Sequence, residues 1–411
     1  MTKLPNGWEV KKLENICKLQ NGFAFKSSLF SKNGVPIVRI KNIQNEKVVL
    51  EDLVYCNPND YENDLTSYTI CKNDILIAMS GATTGKIGLY DLEEKAYLNQ
   101  RVGLLRISDE VTRKYIFWFL YFNSGKNLNI ALGAAQPNLS TAQIHNIQIP
   151  LPSLKDQRKI VKILNEKFAS IDESIRLAKV DLLSLDELWQ SILNDSFNPL
   201  KSKLDNDTYT LPPTWKLEKL GDIATTSSGG TPKRTNKEYW ENGTINWLKS
   251  GELNDYLINN VEEKITQIGL NSSSAKIYPK GTLLIAMYGA TAGKLGILNI
   301  ETSTNQAVCA IFNKNIKNVC FKENYLFYYL LFKRDKIILD SFGGAQPNIS
   351  QTYVKNMQIP LPPLKEQECI AKELESKAKT IKELKELYVK RLKDYEELKE
   401  SLLDLAFKGG L

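Results

Sequence analysis

Histidine is almost absent from the 411 residues: His145 stands alone. The six cysteines (Cys17, Cys56, Cys71, Cys309, Cys320 and Cys369) form no C-x-x-C pair. A zinc site needs clustered thiolates or imidazoles, so structural zinc is excluded and the thiols are expected to be buried or reduced. No apolar run approaches the ~18 residues that would cross a bilayer. The start, Met1-Thr2-Lys3-Leu4-Pro5, has no apolar signal core, so a cytoplasmic location without a membrane partner is expected. Catalytic signatures are missing as well. Gly81-Ala82-Thr83-Thr84-Gly85-Lys86 imitates a phosphate loop but has only three residues between its glycines and no Ser or Thr after the lysine. No G-x-G-x-x-G turn follows a strand. The pairs Pro212-Pro213 and Pro362-Pro363 lack the flanking residues of an adenine methyltransferase motif. Glu93-x-Lys95 and Glu262-x-Lys264 are half of a nuclease pattern, but no Pro-Asp dipeptide accompanies them. His145 becomes Lys355 at the matching place later in the chain and lacks the partners of a general base. The expectation is a binder with no cofactor, metal or catalytic residue of its own.

What is present is ordinary in amount and unusual in arrangement. Hydrophobic residues make up 42% and charged residues 25%, the composition of a globular chain of about two domains. The net charge of +7 is localised: residues 1–150 carry +3 and residues 211–360 carry +5, while the segments that follow each carry −1 and 0. Two basic segments are where a polyanion would bind.

Those two segments are copies. Leu4-Pro5-Asn6-Gly7-Trp8 returns as Leu211-Pro212-Pro213-Thr214-Trp215, and Ile75 to Lys86 returns as Leu283 to Lys294. Asn99-Gln100 returns as Asn305-Gln306, and Tyr115 to Leu120 as Tyr325 to Leu330. Ala135 to Gln157 matches Ala345 to Gln367 at 14 of 23 positions, including Gln-Pro-Asn and Ile-Pro-Leu-Pro. A period of about 210 residues is too long for a solenoid repeat, whose units run ~20–50 residues, so each copy is a whole domain. Short β-rich runs (Ile37–Ile40, Ile75–Met79, Val102–Ile107) between Gly, Asn and Pro, with a helix near Tyr115–Phe122, predict an α+β domain rich in loops.

Each copy ends in a helical tail. Val161, Leu164, Phe168, Ile171, Ile175, Ala178, Leu182, Leu185, Trp189 and Ile192 alternate steps of three and four, which is a heptad seam. Leu374, Ala378, Ile381, Leu384, Tyr388, Leu392, Tyr395, Leu398, Leu402 and Leu405 form a less regular second seam. Two tandem domains, each followed by a long helix, with the helices pairing as an antiparallel coiled coil of pseudo-two-fold symmetry, is the expected architecture. The alternative is that each helix packs on its own domain. The expected boundaries are 1–152 and 211–362 for the domains, 153–197 and 363–408 for the helices, and 198–210 for a polar linker.

Sequence-reading proteins need cations for phosphates and planar amide or guanidinium groups for base edges. In the first copy Lys26, Arg39, Lys41 and Asn42 flank a short strand; Ser80, Thr83, Thr84 and Lys86 lie in a Gly-bounded loop; Asn99, Gln100 and Arg101 follow. In the second, Thr231, Lys233 and Arg234 follow Gly229-Gly230, Trp247, Lys249 and Ser250 lie beyond, and Tyr288, Thr291 and Lys294 complete the set. Any one of these could instead be solvated turn chemistry. The copies differ most in these loops and least at Gln136-Pro137-Asn138 and Gln346-Pro347-Asn348, which read as framework, a turn docking each domain on its helix.

Two divergent domains, each ending in Gln-Pro-Asn, Ile-Pro-Leu-Pro, Leu-Lys-(Asp/Glu)-Gln and a long helix, resemble the specificity subunit of Type I restriction–modification systems. The Gly229-Gly230-Thr231-Pro232 loop followed by Trp247 resembles the target-recognition domain of that family, while the first copy has Asn21-Gly22-Phe23 at the place aligned with Gly229-Gly230-Thr231. The resemblance implies double-stranded DNA as ligand, one domain per half of a bipartite site, and the paired helices as a ruler. It implies two modification subunits carrying S-adenosylmethionine, and restriction (translocase) subunits using ATP and magnesium, as partners. A duplicated coiled-coil adaptor with no sequence reading is the competing expectation, and a self-contained DNA enzyme a weaker one.

Overall fold

A computed structural model describes residues 5–44, 46–49, 52–125, 138–200, 210–315, 317, 319–341 and 348–411. The chain forms two compact units that do not follow chain order. One comprises residues 1–179 with 389–411, the other residues 180–388.

In the first unit the central strand, Ile75–Ala78, lies in a six-stranded sheet between Val102–Leu105 and Ile87–Leu89. All four of its residues are buried because both sheet faces are covered, which is why the run is continuously apolar. Ile75 and Ile77 face the helix Glu110–Phe122, while Leu76 and Ala78 face a second core with Val38, Leu98 and Leu104. A four-stranded sheet ordered Val54–Cys56, Val35–Val38, Ala96–Leu98 and Thr69–Ile70 lies across that second core. The second unit repeats the plan. Its five-stranded sheet is centred on Leu283–Ala286, and its four-stranded sheet contains Ile245–Leu248 paired in parallel with Thr302–Thr304.

The strongest part of the repeat has a structural cause in each unit. Gln148–Leu151 pairs antiparallel with Glu9–Lys12, as Gln358–Leu361 does with Lys216–Lys219. The Tyr115 hydroxyl donates to Pro150 O and the Tyr325 hydroxyl to Pro360 O. Gln157 and Gln367 are buried, and their amides donate to Pro152 O at 2.8 Å and Pro362 O at 2.9 Å. Buried amides need such partners, so Pro-x-x-x-x-Gln fixes how each long helix leaves its domain.

The long helices are Leu154–Phe197 and Leu364–Lys408. In the first unit Lys399 Nζ reaches Asp172; in the second Lys385 pairs with Asp186. Going forward from 172 to 186 on one helix goes back from 399 to 385 on the other, so the helices pack together antiparallel. Each helix ends in the core of the unit it did not start from. Phe407 packs against Tyr115, Phe119 and Phe122, with ring centroids 5.3–5.6 Å apart. Phe197 packs against Tyr325, Tyr329 and Phe332 at 5.4–5.6 Å.

The second seam differs from the expected one. Leu384, Leu398 and Leu405 are 38%, 45% and 46% exposed. Their neighbours Lys385, Lys399 and Ala406 occupy the inward positions instead. The series Ile381, Lys385, Tyr388, Leu392, Tyr395, Lys399, Leu402, Ala406 restores strict steps of four and three. A lysine can sit there because its alkyl stem is apolar while its ammonium reaches a carboxylate. Lys399 lies over the Phe168 ring at 5.2 Å and also approaches Glu46 at 3.5 Å. Burial opposes its charge, but Asp172 and Glu46 outweigh burial and hold its pKa above the ordinary lysine value.

Candidate nucleic-acid interface

In the first unit three segments emerge at neighbouring strand ends. Parallel pairing of Ala96–Leu98 with Val35–Val38 brings Asn99 beside the turn Ile40–Asn42, with Asn99 N–H donating to Val38 O at 3.2 Å. Met79 N–H donates to Arg101 O at 3.0 Å, which joins the Ser80–Lys86 loop to the same end. The Thr83 hydroxyl donates to Ile40 O at 3.1 Å, tying that loop to the turn. Gly81 (φ 80°) and Gly85 (φ 84°) allow the loop to close a hairpin between Ile75–Ala78 and Ile87–Leu89. A strand, not a helix, follows Lys86, so the segment lacks the geometry of a phosphate loop.

Arg39, Lys41, Thr83, Lys86, Asn99, Gln100 and Arg101 are thus gathered and at least partly accessible. Three other expected readers are not. Asn42 is fully buried, accepting from Arg39 N–H at 3.0 Å and donating to Val49 O; it caps the turn. Ser80 and Thr84 are buried within the hairpin loop, the Thr84 hydroxyl donating to Gly81 O at 2.7 Å. For Asn42 and Thr84 the polar side chain serves turn formation, while the Ser80 hydroxyl is buried without a hydrogen-bond partner among the described residues. Lys26 is exposed at the start of the turn Ser27–Leu29, three residues beyond Phe23.

Of the Gln-Pro-Asn framework, Asn138 and Asn348 meet the hairpin loop and not the helix. Gln136, Pro137, Gln346 and Pro347 lie outside the described residues. Asn138 bridges Ser80 and Asn348 bridges Tyr288, with Leu139 N–H donating to Met79 O and Ile349 N–H to Met287 O. The segment therefore braces the base of each hairpin loop. His145 is framework too, its Nε2 accepting from Leu19 N–H at 3.3 Å.

The second unit builds the same end from different side chains. Asn305 N–H donates to Leu248 O, and Lys249 N–H donates to Glu252 Oε1 at 2.9 Å, as Arg39 N–H does to Asn42. Gly230 N–H donates to Thr304 O at 2.9 Å, as Phe23 N–H does to Leu98 O at 2.8 Å. That equivalence puts Gly22 on Gly229, one residue away from the alignment suggested by the sequence. Both glycines lie where a Cβ would fall within 2.2 Å of a backbone oxygen, Asn99 O and Thr304 O respectively. The close approach is common to both copies, and only the residue after it differs.

Trp247, expected to meet DNA, is only 1% exposed, and its indole N–H donates to Gly230 O at 2.9 Å. It supports the loop. Thr231, Arg234, Lys249 and Ser250 line an open cleft of about 580 Å³ above it. Arg234 ion-pairs with Glu263 and lies over the Trp240 and Trp247 rings at 3.8 and 4.7 Å. Lys249 pairs with Glu262 at 2.9 Å and Glu263 at 3.0 Å, which raises its pKa. The hydrogen bond from Arg234 leads the effects that hold Glu263 below the ordinary carboxylate range. Glu262 and Glu263 were missed as members of the site because the cations they bind lie 13 to 29 residues away. Glu262 thus has a role other than half of a nuclease pattern, and Glu93 likewise pairs with Lys72. Lys233 is exposed, and Tyr288, Thr291 and Lys294 lie on the hairpin loop framed by Gly289 (φ 81°) and Gly293 (φ 80°). Among the described residues no group of three or more His, Cys, Asp or Glu is placed to hold a metal, and no helix is long and apolar enough to cross a membrane.

A repeated α+β framework carrying different polar loops at the same strand ends, on paired helices, is that of a duplicated recognition protein. Residues 5–178 and 212–390 each match the family described as the Type I restriction modification DNA specificity domain, and the chain belongs to that family. It is 33% identical to the Type I restriction enzyme MjaVIII specificity subunit of Methanocaldococcus jannaschii over 47% of this chain and 46% of that protein. It is 25% identical to the putative MjaX specificity subunit of the same organism over 99% of this chain and 94% of that one. A solved chain from a study of complex assembly and conformational transition in the type I R-M system shares its fold, with TM-score 0.78 and 21% identity over all of both chains. The chain is accordingly a DNA sequence-recognition subunit of the type I class, without a catalytic role of its own.

Proposed function

We propose that this chain reads a bipartite site in double-stranded DNA, one half per recognition domain, and directs two modification subunits and the restriction subunits to it. The paired helices act as the ruler between half-sites: at ~1.5 Å per residue, helices of 44 and 45 residues are each about 66 Å long. The accessible residues of the two loop clusters meet the DNA. Phosphates take the unpaired cations, while amides, hydroxyls and held guanidinium groups face the bases. S-adenosylmethionine, ATP and magnesium belong to the partner subunits, and the assembly works in the cytoplasm.

The observation that carries this reading is the pairing of similar backbone frames with unlike side chains at matching strand ends. A device with two different targets needs both. The experiment is methylation of defined duplexes by the chain with its modification subunits, after the site has been mapped by methylome sequencing. Methylation should require both blocks and collapse when the spacer changes by one or two base pairs. Partner binding with no dependence on DNA sequence would favour the adaptor instead.

A further inference from the structure

We propose that the cleft of the second recognition domain reads the edge of a G·C base pair and does not clamp phosphate. Lys249 and Arg234 would donate to guanine and Glu262 would accept from cytosine. This rests on the reading that the domain binds DNA, and it assigns to two cations a task different from the general attraction of basic loops.

The charge balance of the cleft decides between the two tasks. Three carboxylates, Glu252, Glu262 and Glu263, stand with Lys249 and Arg234 at the cleft, held there by contacts of 2.9–3.0 Å or by the Arg234 ion pair. Two cations against three carboxylates sum to a net charge of −1 for these five side chains, so a phosphate brought there finds no excess of positive charge to hold it. A base edge is neutral and presents both donors and acceptors, which an ion-paired cluster can match. Lys294 is the contrast. It is exposed on the neighbouring hairpin loop, and no carboxylate lies within 4 Å of it among the described residues, as a phosphate contact requires.

Geometry and valence select the base pair. Guanine offers two major-groove acceptors, O6 and N7, that suit Lys and Arg, and cytosine offers the N4 amino group, which suits Glu. The Lys249 ammonium has three protons, and its two carboxylate partners leave one for a base. Arg234 is held by Glu263 and by its contacts with the Trp240 and Trp247 rings, so little conformational freedom is lost when its remaining N–H groups engage. Both Glu252 oxygens are used on backbone N–H groups of Lys249 and Glu262, which makes it a positioning residue and leaves Glu262 as the acceptor. Adenine would call for a free planar amide. Of the amides Gln306 and Asn305 at this end, the acceptor oxygens are already taken, Gln306 Oε1 by the Thr231 hydroxyl and Asn305 Oδ1 by Ala307 N–H.

The test is fluorescence-anisotropy binding by the full chain, on duplexes built from its mapped site. Each G·C pair of the block read by the second domain is replaced singly by A·T, and each guanine singly by 7-deazaguanine, which lacks the N7 acceptor. Lys249→Met should weaken cognate binding roughly 10- to 100-fold, the worth of one good base contact, with an unchanged salt slope. The loss should be confined to one G·C pair, where 7-deazaguanine weakens the native protein but not the variant. Glu262→Gln should alter preference at that same pair. Lys249→Arg, which keeps the charge and the ion pairs, should retain the G·C preference and guards against a folding defect in the methionine variant. Uniform weakening on every duplex with the salt slope lowered by ~1 would overturn the proposal in favour of a phosphate contact and leave the DNA-reading function standing. Absence of any sequence preference in the second block of the native protein would overturn both.

Discussion

Replacing Phe197 by alanine should loosen the domain that Phe197 does not follow in the chain. Phe197 ends the helix that leaves the first domain, yet its ring is fully buried against Tyr325, Tyr329 and Phe332 in the second unit. Truncating a buried phenylalanine costs ~3–5 kcal/mol through lost transfer energy and the cavity left behind. Aromatic pairs of this kind add ~0.5–1.5 kcal/mol beyond area alone, which places the site toward the upper part of that range. Hydrogen exchange followed by mass spectrometry locates the loss. In Phe197→Ala, amides in Glu323–Phe332 should exchange roughly a hundred- to a few thousand-fold faster where exchange goes through unit opening, while Glu110–Phe122 keeps its protection. Phe407→Ala should give the mirror result, loosening Glu110–Phe122. If either substitution deprotects the domain preceding its own helix, the crossed docking of the helix ends is wrong.

A fragment ending at Asp205 should form a homodimer in sedimentation, because Phe197 of one copy can replace Phe407 on Tyr115, Phe119 and Phe122 of the other; a monomer would contradict this. Lys294→Ala or Lys86→Ala should weaken binding to all duplexes alike and lower the salt slope by ~1 per lost phosphate contact; unchanged slopes in both would remove the hairpin loops from the interface. The Arg234–Glu263 pair stabilises the second unit above the ordinary glutamate pKa of 4.5, because its folded-state pKa is lowered. That contribution should fade as pH falls below 4.5 through the lower folded value, and a melting profile of Glu263→Gln should lack this component.

Much of the molecule was legible in the residues taken in order. Duplication over about 210 residues requires two domains, and the step pattern of Val161 to Ile192 requires a long helix with one apolar seam. The Gly-bounded segments around Thr83 and Thr291 read as loops, and the structure adds that their glycines take positive φ. Partners remote in sequence were not legible. Leu384 and Leu398 looked like seam residues because hydrophobicity is a local property. Lys385 and Lys399 took the inward positions because Asp186, Asp172 and Glu46 wait there, about 200 to 350 residues away in the chain. Asn42 and Trp247 carry the chemistry of DNA readers, but their neighbours bury them and use their polar atoms to hold turns. The same holds for charge. The sequence alone determined that two basic domains sit on paired helices, because repeat, period and net charge depend only on residue order. The tertiary structure decided which cations are already neutralised and which aromatic ends cross to the other domain. Those outcomes depend on contacts that exist only once the chain has closed on itself.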